Sequence, residues 1–228
     1  MPTAPQTILL AGATGMVGAQ VVQMLADRQD IDLHLLARRA IAGGAAGEVH
    51  VADPSNWPML VTHISPAVLI CCLGTTIRQA GSAPAFAGVD YQLVVDLARA
   101  ACGAGARQMV VVSSVGAAPS SSNFYLRTKG QMERDVTALA FARLDIMRPG
   151  LLLGERCGPV RPGERIGMAI APLTNLLTPR GFDQYRAISA ATVAGAIAAV
   201  VGQTAGAPVD GPHIHHNREM IALAAAAN

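Results

Sequence analysis

The stretch TILLAGATGMVG, residues 7–18, decides the fold of this chain. Its apolar run ends at Gly12, and apolar residues at helical spacing begin near Met16, so the pattern predicts a buried strand followed directly by a helix. Gly12, Gly15 and Gly18 give this junction the spacing GxxGxxG. Glycine lets the backbone approach a pyrophosphate, and the start of the helix offers free amides and the positive end of its dipole.

The position of the three glycines is more informative than their spacing. Three glycines are a weak pattern in a chain rich in alanine and glycine, but a first strand-to-helix junction is where dinucleotide-binding proteins require them. The alternative is a tight turn that holds no ligand. We predict that a dinucleotide phosphate is bound by the residues of this loop, namely Gly12, Thr14, Gly15, Met16, Val17 and Gly18.

Outward from this loop, apolar strands alternate with helices. Because the strands are apolar throughout, both faces of the sheet must be covered, which is typical of parallel sheets. We predict an α/β fold, a doubly wound parallel sheet of the Rossmann type, with ligands at the carboxyl ends of the strands. After the first strand, further strands are predicted at 33–37, 49–52, 67–73, 108–113, 144–148 and 213–216, and helices at 16–28, 56–62, 85–102, 124–142, 189–202 and 219–227.

The composition favours a single domain, residues 1–228, in which residues 151–228 form a small extension on the substrate side. Hydrophobic residues make up 51% of the chain and aromatic residues only 4%, a mixture that favours helices packed on a buried sheet. The net charge is +2 without a basic run, so we expect no nucleic-acid partner. We also expect no membrane-spanning segment.

The beginning of the chain and its cysteines bear on localisation. The first six residues carry no charged side chain, and the four cysteines show neither CxxC nor disulfide-framework spacing. Reduced thiols are therefore expected. These features predict a cytoplasmic protein. A homodimer is a separate expectation for its assembly.

Basic residues stand at the end of the second predicted strand. NAD-selective sites carry an acidic residue about 20 positions after the glycines, where it binds the ribose hydroxyls. Here Arg38 and Arg39 take that place, and an arginine pairs with a 2′-phosphate, so NADP is favoured as the cofactor. The alternative is an ordinary solvated arginine pair. Asp53 is predicted either to accept a hydrogen bond from the adenine amino group or to cap a helix.

A serine, a tyrosine and a lysine are expected to meet where the nicotinamide would lie. Tyr125 and Lys129 are four residues apart on one predicted helix and share a face, while Ser113 and Ser114 end the preceding strand. Carbonyl reduction requires a proton donor, and a lysine cation makes tyrosine a better one by favouring its phenolate. The serine hydroxyl would hold the substrate oxygen. We predict Tyr125, Lys129 and Ser114 as catalytic residues, although either serine could face the site.

Together these motifs resemble the atypical short-chain dehydrogenases/reductases, and within them the branch related to the Tat-interacting oxidoreductases. The matching segments LLAGATGMVG, LLARR, CCLGTTIRQAGS, VVVSSVGA, FYLRTKGQME and MRPGLLLGER lie within residues 8–156. The resemblance implies a Rossmann-like fold that binds NADP, with Leu73, Gly74 and Thr75 against the adenine ribose. It also implies that Pro149, Gly150 and Leu151 lie beside the nicotinamide. The glycine spacing departs from the TGxxxGxG of the reductases proper, which argues against simple alcohol-dehydrogenase activity.

We therefore predict an NADP-dependent oxidoreductase that transfers a hydride to or from a small carbonyl or alcohol substrate. The alternative is a non-catalytic NADP-binding protein that senses redox state. A nucleotide-sugar epimerase is disfavoured because residues 151–228 are short for a substrate domain, and only a small pocket closed by residues 155–185 is expected.

Two smaller predictions concern the C-terminal half of the chain. No metal site is predicted, since His213 and His215 share a strand face but lack a further ligand at suitable spacing. Asp145 and Arg148 are predicted to form an ion pair at the end of a strand.

Overall fold

The structure is a computed structural model, and it describes residues 4–41, 44–139, 141–154, 183–203 and 211–226. Seven strands form one parallel sheet in the order β3-β2-β1-β4-β5-β6-β9, and β7 pairs with β8 separately. This order reverses direction between β1 and β4, as in doubly wound nucleotide-binding folds, and confirms the predicted fold class. The strands are β1 (Gln6–Ala11), β2 (Ile31–Ala37), β3 (Glu48–Val51), β4 (Val68–Cys71), β5 (Gln108–Val112), β6 (Arg143–Met147), β7 (Leu152–Leu153), β8 (Ile188–Ser189) and β9 (His213–His215).

Helices cover both faces of this sheet. The helices are α1 (Met16–Leu25), α2 (Trp57–Ile64), α3 (Ile77–Ala80), α4 (Ala83–Ala87), α5 (Val94–Gly103), α6 (Phe124–Thr137), α7 (Ala190–Val200) and α8 (Asn217–Ala226). Because successive strand residues point to opposite faces, Ile8 and Leu10 pack with α1 and α7, whereas Leu9 and Ala11 pack with α2 and α5. Among the described helices, none combines the length and apolar character that crossing a bilayer needs.

The predicted helix over 85–102 is interrupted. Residues 88–93 form a π-helical turn between α4 and α5, and this turn inserts an extra residue into the helical repeat. Within this turn Asp90 is fully buried, while Val89 and Leu93 are only partly buried. A regular helix over 85–102 would place Val89 and Leu93 on the same face as the buried Leu97, so the sequence pattern predicts both as inward residues.

A buried polar cluster anchors β9 to the sheet. Asp145 on β6 is fully buried and accepts hydrogen bonds from Arg143 (Nε to Oδ2, 2.7 Å) and Gln108 (Nε2 to Oδ2, 3.0 Å). Its Oδ1 lies 2.9 Å from Nε2 of His215 on β9. Burial alone raises the pKa of Asp145, but these three partners outweigh it and hold the pKa below its usual value. The carboxylate therefore stays charged and joins three strands.

The predicted pairing of Asp145 with Arg148 is wrong. Residues three apart on a strand point to opposite faces, so the two side chains turn away from each other. Arg148 instead pairs with Glu133 of α6, with Nε donating to Oε1 over 2.9 Å and the second guanidinium nitrogen contacting Oε2. This pair holds α6 against the carboxyl end of β6.

Candidate functional site

The glycine loop lies at the carboxyl end of β1, where the strand order reverses. Gly12 has a positive φ of +94°, and a Cβ there would come within 2.7 Å of the Cys72 carbonyl carbon. A Cβ on Gly18 would lie 2.1 Å from the Gly12 oxygen, so both positions exclude a side chain. At Gly15 the nearest atom would be the Gly12 oxygen at 3.2 Å, a contact that a small shift relieves. Gly15 is therefore the loop glycine least constrained by the protein itself.

The first turn of α1 is left open to a ligand. The helix begins at Met16 after Gly15, which supplies no capping side chain, and its first turn contains no acidic residue. The free amides of such a turn attract an anion. Thr14 beside them is exposed, whereas the Val17 side chain is buried in the core and offers only its backbone outward.

Arg38 and Arg39 follow β2 directly, at the same edge of the sheet as the glycine loop. Both are exposed, and neither forms a hydrogen bond or ion pair with another residue in the described part of the chain. Asp53 follows β3 and caps the short 3₁₀ turn at 54–56, accepting hydrogen bonds from the Ser55 amide (2.9 Å) and hydroxyl (2.6 Å). Of the two predictions for Asp53, the helix cap is confirmed.

Helix α6 positions the tyrosine and the lysine. Asn123 caps it, with Oδ1 accepting the Leu126 amide over 3.2 Å, which places Tyr125 in the first turn. Gly130 permits close approach, because a Cβ there would lie 2.2 Å from the Ala118 carbonyl carbon. The Lys129 side chain consequently reaches the end of β5, where Nζ lies 3.4 Å from the Val112 oxygen.

Lys129 forms a buried ion pair that the sequence pattern does not predict. Its Nζ lies 2.8 Å from Oδ1 of Asp90, and the two side chains are 4% and 1% exposed. Burial alone lowers the pKa of Lys129, but the Asp90 carboxylate and the nearby Tyr125 more than offset this, and the net pKa is raised. Lys129 is therefore a cation in the folded protein.

Asp90 has a second partner on the other side of its carboxylate. Its Oδ2 accepts the Thr75 amide over 2.8 Å, so one residue links the segment after β4 to the lysine of α6. A signal for Asp90 was present in the sequence: it lies three, four and seven positions before apolar residues of one helix. A carboxylate on such a stripe needs a cation, but the stripe does not say which cation.

The two serines and the tyrosine differ in their surroundings. Ser113 is 5% exposed, and its Oγ has no hydrogen-bond partner among the described residues. Ser114 is partly buried, and its Oγ lies 3.3 Å from the Val115 oxygen. Tyr125 is partly buried, with its ring centroid 5.5 Å from that of Phe86. An orphan hydroxyl at the end of β5 makes Ser113 as strong a candidate as Ser114.

The segments after β4 and β6, which were predicted to lie beside the cofactor, make most of their contacts within the protein. After β4, Leu73 is partly buried, Gly74 is exposed, and Thr75 is tied to Asp90. After β6, the Pro149 oxygen accepts the Val115 amide over 2.9 Å, which joins the ends of β5 and β6.

Gly150 is needed for packing rather than for ligand approach, since a Cβ there would lie 2.2 Å from the Arg186 oxygen. Leu151 is 54% exposed. Residues 155–182 of the predicted pocket closure lie outside the described residues.

The cysteines at the end of β4 are thiols rather than a redox pair. Burial raises the pKa of Cys71 to about 11, and it raises the pKa of Cys72 further. Both, together with Cys102, are free cysteines. They pack as small apolar residues beside the glycine loop.

A comparison with family models settles which family this is. The model described as HIM1 matches residues 49–176, more than half of the chain. The chain belongs to the HIM1 family. The matched region includes Asp53, the segment after β4, and the serine, tyrosine and lysine of the candidate site.

Several curated relatives share one name. Protein FMP52, mitochondrial, of Debaryomyces hansenii is 38% identical over 64% of this chain and 67% of its own length. The protein of the same name from Saccharomyces cerevisiae is 36% identical over 68% of this chain and 69% of its length. These names contradict the prediction of a cytoplasmic protein. Neither name states a reaction.

Solved structures show the fold but not the family. UDP-glucuronic acid 4-epimerase from Bacillus cereus, in complex with NAD, has a TM-score of 0.66 at 13% identity and covers 94% of this chain and 78% of its own. dTDP-4-dehydrorhamnose reductase from Yersinia enterocolitica has a TM-score of 0.65 at 20% identity, covering 92% and 74%. These likenesses confirm the Rossmann-like α/β fold. The finer resemblance to the Tat-interacting branch is corrected, since the family and curated relatives are HIM1 and FMP52.

Proposed function

We propose that this chain is an NADP-dependent oxidoreductase in which the Tyr125–Lys129 face of α6 works beside a bound dinucleotide. The observation that carries the proposal is the position of Lys129. It is a buried cation one helical turn from Tyr125. Its Nζ lies against the carboxyl end of β5, which is the neighbour of β4, and the strand order reverses between β1 and β4. Ligands of open α/β sheets bind at this edge.

A nicotinamide dinucleotide fits the residues present. The glycine loop excludes side chains at two positions, and the uncapped first turn of α1 offers amides for a pyrophosphate. Arg38 and Arg39, unpaired among the described residues, suit a 2′-phosphate. The NAD complexes of structural neighbours such as the Bacillus cereus epimerase support the same class of cofactor. When bound, this cofactor supplies or accepts a hydride.

The residues of the chain would handle the proton. In the direction of reduction, Tyr125 donates its hydroxyl proton to the carbonyl oxygen of the substrate, and Ser114 or Ser113 hydrogen-bonds that oxygen. Lys129 stays protonated and stabilises the phenolate that Tyr125 becomes. Asp90 keeps the ammonium in place, so it is a positioning residue.

A panel assay tests whether the protein is an enzyme. Consumption of NADPH would be followed with aldehydes, ketones, quinones and enones, and reduction of at least one class is expected. A second candidate function is a non-catalytic NADP-binding redox sensor. It is favoured by the Lys129–Asp90 pair, since a carboxylate already engages the ammonium that would act on Tyr125. Tight NADPH binding without turnover of any panel member would support the sensor and contradict the enzyme.

Replacing Arg38 by alanine is expected to weaken NADPH binding about tenfold to a hundredfold while changing NADH binding little. A charged hydrogen bond contributes roughly 1.5–3 kcal/mol, and only NADPH carries the 2′-phosphate. Isothermal titration calorimetry with both cofactors measures the difference. Arg28→Ala is the matched control, because that arginine pairs with Asp30 at the other end of β2. Equal affinity of the unmodified protein for both cofactors would contradict the preference.

Replacing Gly15 by valine is expected to abolish dinucleotide binding in a folded protein. A Cβ at this position would lie 3.2 Å from the Gly12 oxygen and 3.9 Å from the Cys72 oxygen, contacts that a folded protein can accommodate. The rest of the valine side chain would occupy the space where the pyrophosphate is proposed to approach the backbone. Fluorescence titration with NADPH and a circular dichroism melt measure binding and folding separately. Retained NADPH affinity in the folded variant would mean that the cofactor binds elsewhere.

A further inference from the structure

Two histidines and two carboxylates converge on the strand pair β2–β3, away from the site described above. His34 pairs in register with Glu48, and Leu36 with His50. Because alternate residues of a strand share a face, Asp32, His34, Glu48 and His50 all lie on one face of the sheet. Arg38 and Asp53 of the candidate site follow the carboxyl ends of β2 and β3, further along both strands, so the two groups are separate.

The ligand atoms of three of these residues form a compact triangle. His34 Nδ1 lies 2.9 Å from His50 Nε2. The Glu48 carboxylate completes the triangle, with Oε1 at 3.7 Å from His50 Nε2 and Oε2 at 3.8 Å from His34 Nδ1. Ligands bound to tetrahedral zinc at about 2.0–2.1 Å are separated by about 3.3 Å, so these edges bracket the spacing that the metal needs.

Asp32, the fourth residue of this group, orients the ring of His34. Nε2 of His34 lies 3.1 Å from Oδ2 of Asp32, so the ring places its proton there and leaves the Nδ1 lone pair facing His50 and Glu48. A carboxylate on the far nitrogen of a ligating histidine is the usual arrangement in zinc sites. The two histidine side chains are 13% and 18% exposed, whereas Glu48 is 67% exposed, so the triangle opens to solvent on the carboxylate side.

We propose that His34 Nδ1, His50 Nε2 and the Glu48 carboxylate bind a divalent transition metal, with zinc as the probe. Two imidazoles and a carboxylate suit zinc, nickel or copper and not magnesium, which prefers oxygen ligands. The metal would replace the direct contact between the histidines and link the edge strand β3 to β2. A fourth position stays open to water or to a further ligand.

The sequence signal for this site is a pair of acid-x-histidine patterns, Asp32-Leu33-His34 and Glu48-Val49-His50. Each pattern is unremarkable by itself. Only the parallel pairing of β2 with β3 brings the two histidines within reach of one ion, which is why no metal site was predicted from the sequence.

The test uses the full chain without an affinity tag, treated with a chelator and titrated with zinc by calorimetry. We expect saturable one-to-one binding that excess magnesium leaves unchanged. His50→Gln and Glu48→Gln should each weaken zinc binding at least about a hundredfold, and Asp32→Asn about 10–100-fold. His63→Gln, at an exposed histidine of α2, is the matched control and should bind zinc like the original protein.

A second measurement separates this site from the cysteines. X-ray absorption of the zinc complex should show nitrogen and oxygen neighbours at about 2.0–2.2 Å and no sulfur near 2.3 Å. Glu48 is exposed, so Glu48→Gln is expected to fold and to bind NADPH normally even if a histidine variant does not fold. Sulfur in the zinc shell, or unchanged zinc affinity in Glu48→Gln and His50→Gln, would overturn the proposal.

Discussion

Replacing Tyr125 by phenylalanine is expected to lower carbonyl reduction by about 10²–10⁴-fold while leaving NADPH affinity nearly unchanged. The substitution removes one hydroxyl and keeps the ring that packs 5.5 Å from Phe86, so the packing of α6 should persist. Lys129 would then have no phenol to act on, although its ion pair with Asp90 remains. Steady-state turnover with the best substrate of the panel, together with NADPH calorimetry, measures the two effects separately.

Tyr91→Phe provides the matched control for this experiment. The Tyr91 hydroxyl donates to Asp135 Oδ2 over 2.6 Å and belongs to a different contact between the π-helical turn and α6. Its loss is expected to leave turnover within about twofold, since surface-side substitutions seldom change a distant site. Turnover of the Tyr125→Phe protein at the original rate would show that another group donates the proton.

Replacing Asp90 by asparagine is expected to lower the free energy of unfolding at pH 7 by about 3–5 kcal/mol. The amide keeps an acceptor for the Thr75 amide but leaves the Lys129 ammonium buried without a counter-charge. Urea denaturation followed by circular dichroism measures the loss. The double variant Asp90→Asn/Lys129→Met removes both charges and should recover most of it. An unchanged urea midpoint for Asp90→Asn would contradict the importance of the pair.

The pH dependence of this loss follows from the pKa of Lys129. In the original protein the folded pKa lies above its ordinary value of 10.5, so the contribution is present below pH 10.5 and is lost as pH rises through the folded pKa. Without Asp90, both of its contributions are lost, and burial, which is the largest single influence, is expected to outweigh Tyr125 and to lower the folded pKa of Lys129. The unfolded variant then binds more protons, and its stability rises with pH. The deficit at pH 7 should therefore shrink as pH approaches 10.

Local patterns in the sequence were sufficient for the strands of the main sheet, for most of the helices that cover it and for the position of the glycine loop. The apolar runs predicted the strands of the main sheet, because a strand that is buried on both faces consists almost entirely of apolar residues. The glycine loop could be predicted because its three glycines stand at one strand-to-helix junction, where Gly12 has a positive φ and Gly18 lies against the Gly12 backbone. The shared face of Tyr125 and Lys129 could be predicted because residues four apart lie about one turn apart on the same side of a helix.

What the sequence by itself determined is thus the doubly wound fold, the glycine loop and the shared face of Tyr125 and Lys129. The tertiary structure alone decided that Lys129 pairs with Asp90, that Arg148 pairs with Glu133, and that His34 meets His50. Each of these contacts joins residues far apart in the chain. Their partners depend on strand register and on which elements pack against each other, and neither leaves a periodic trace that a single sequence displays.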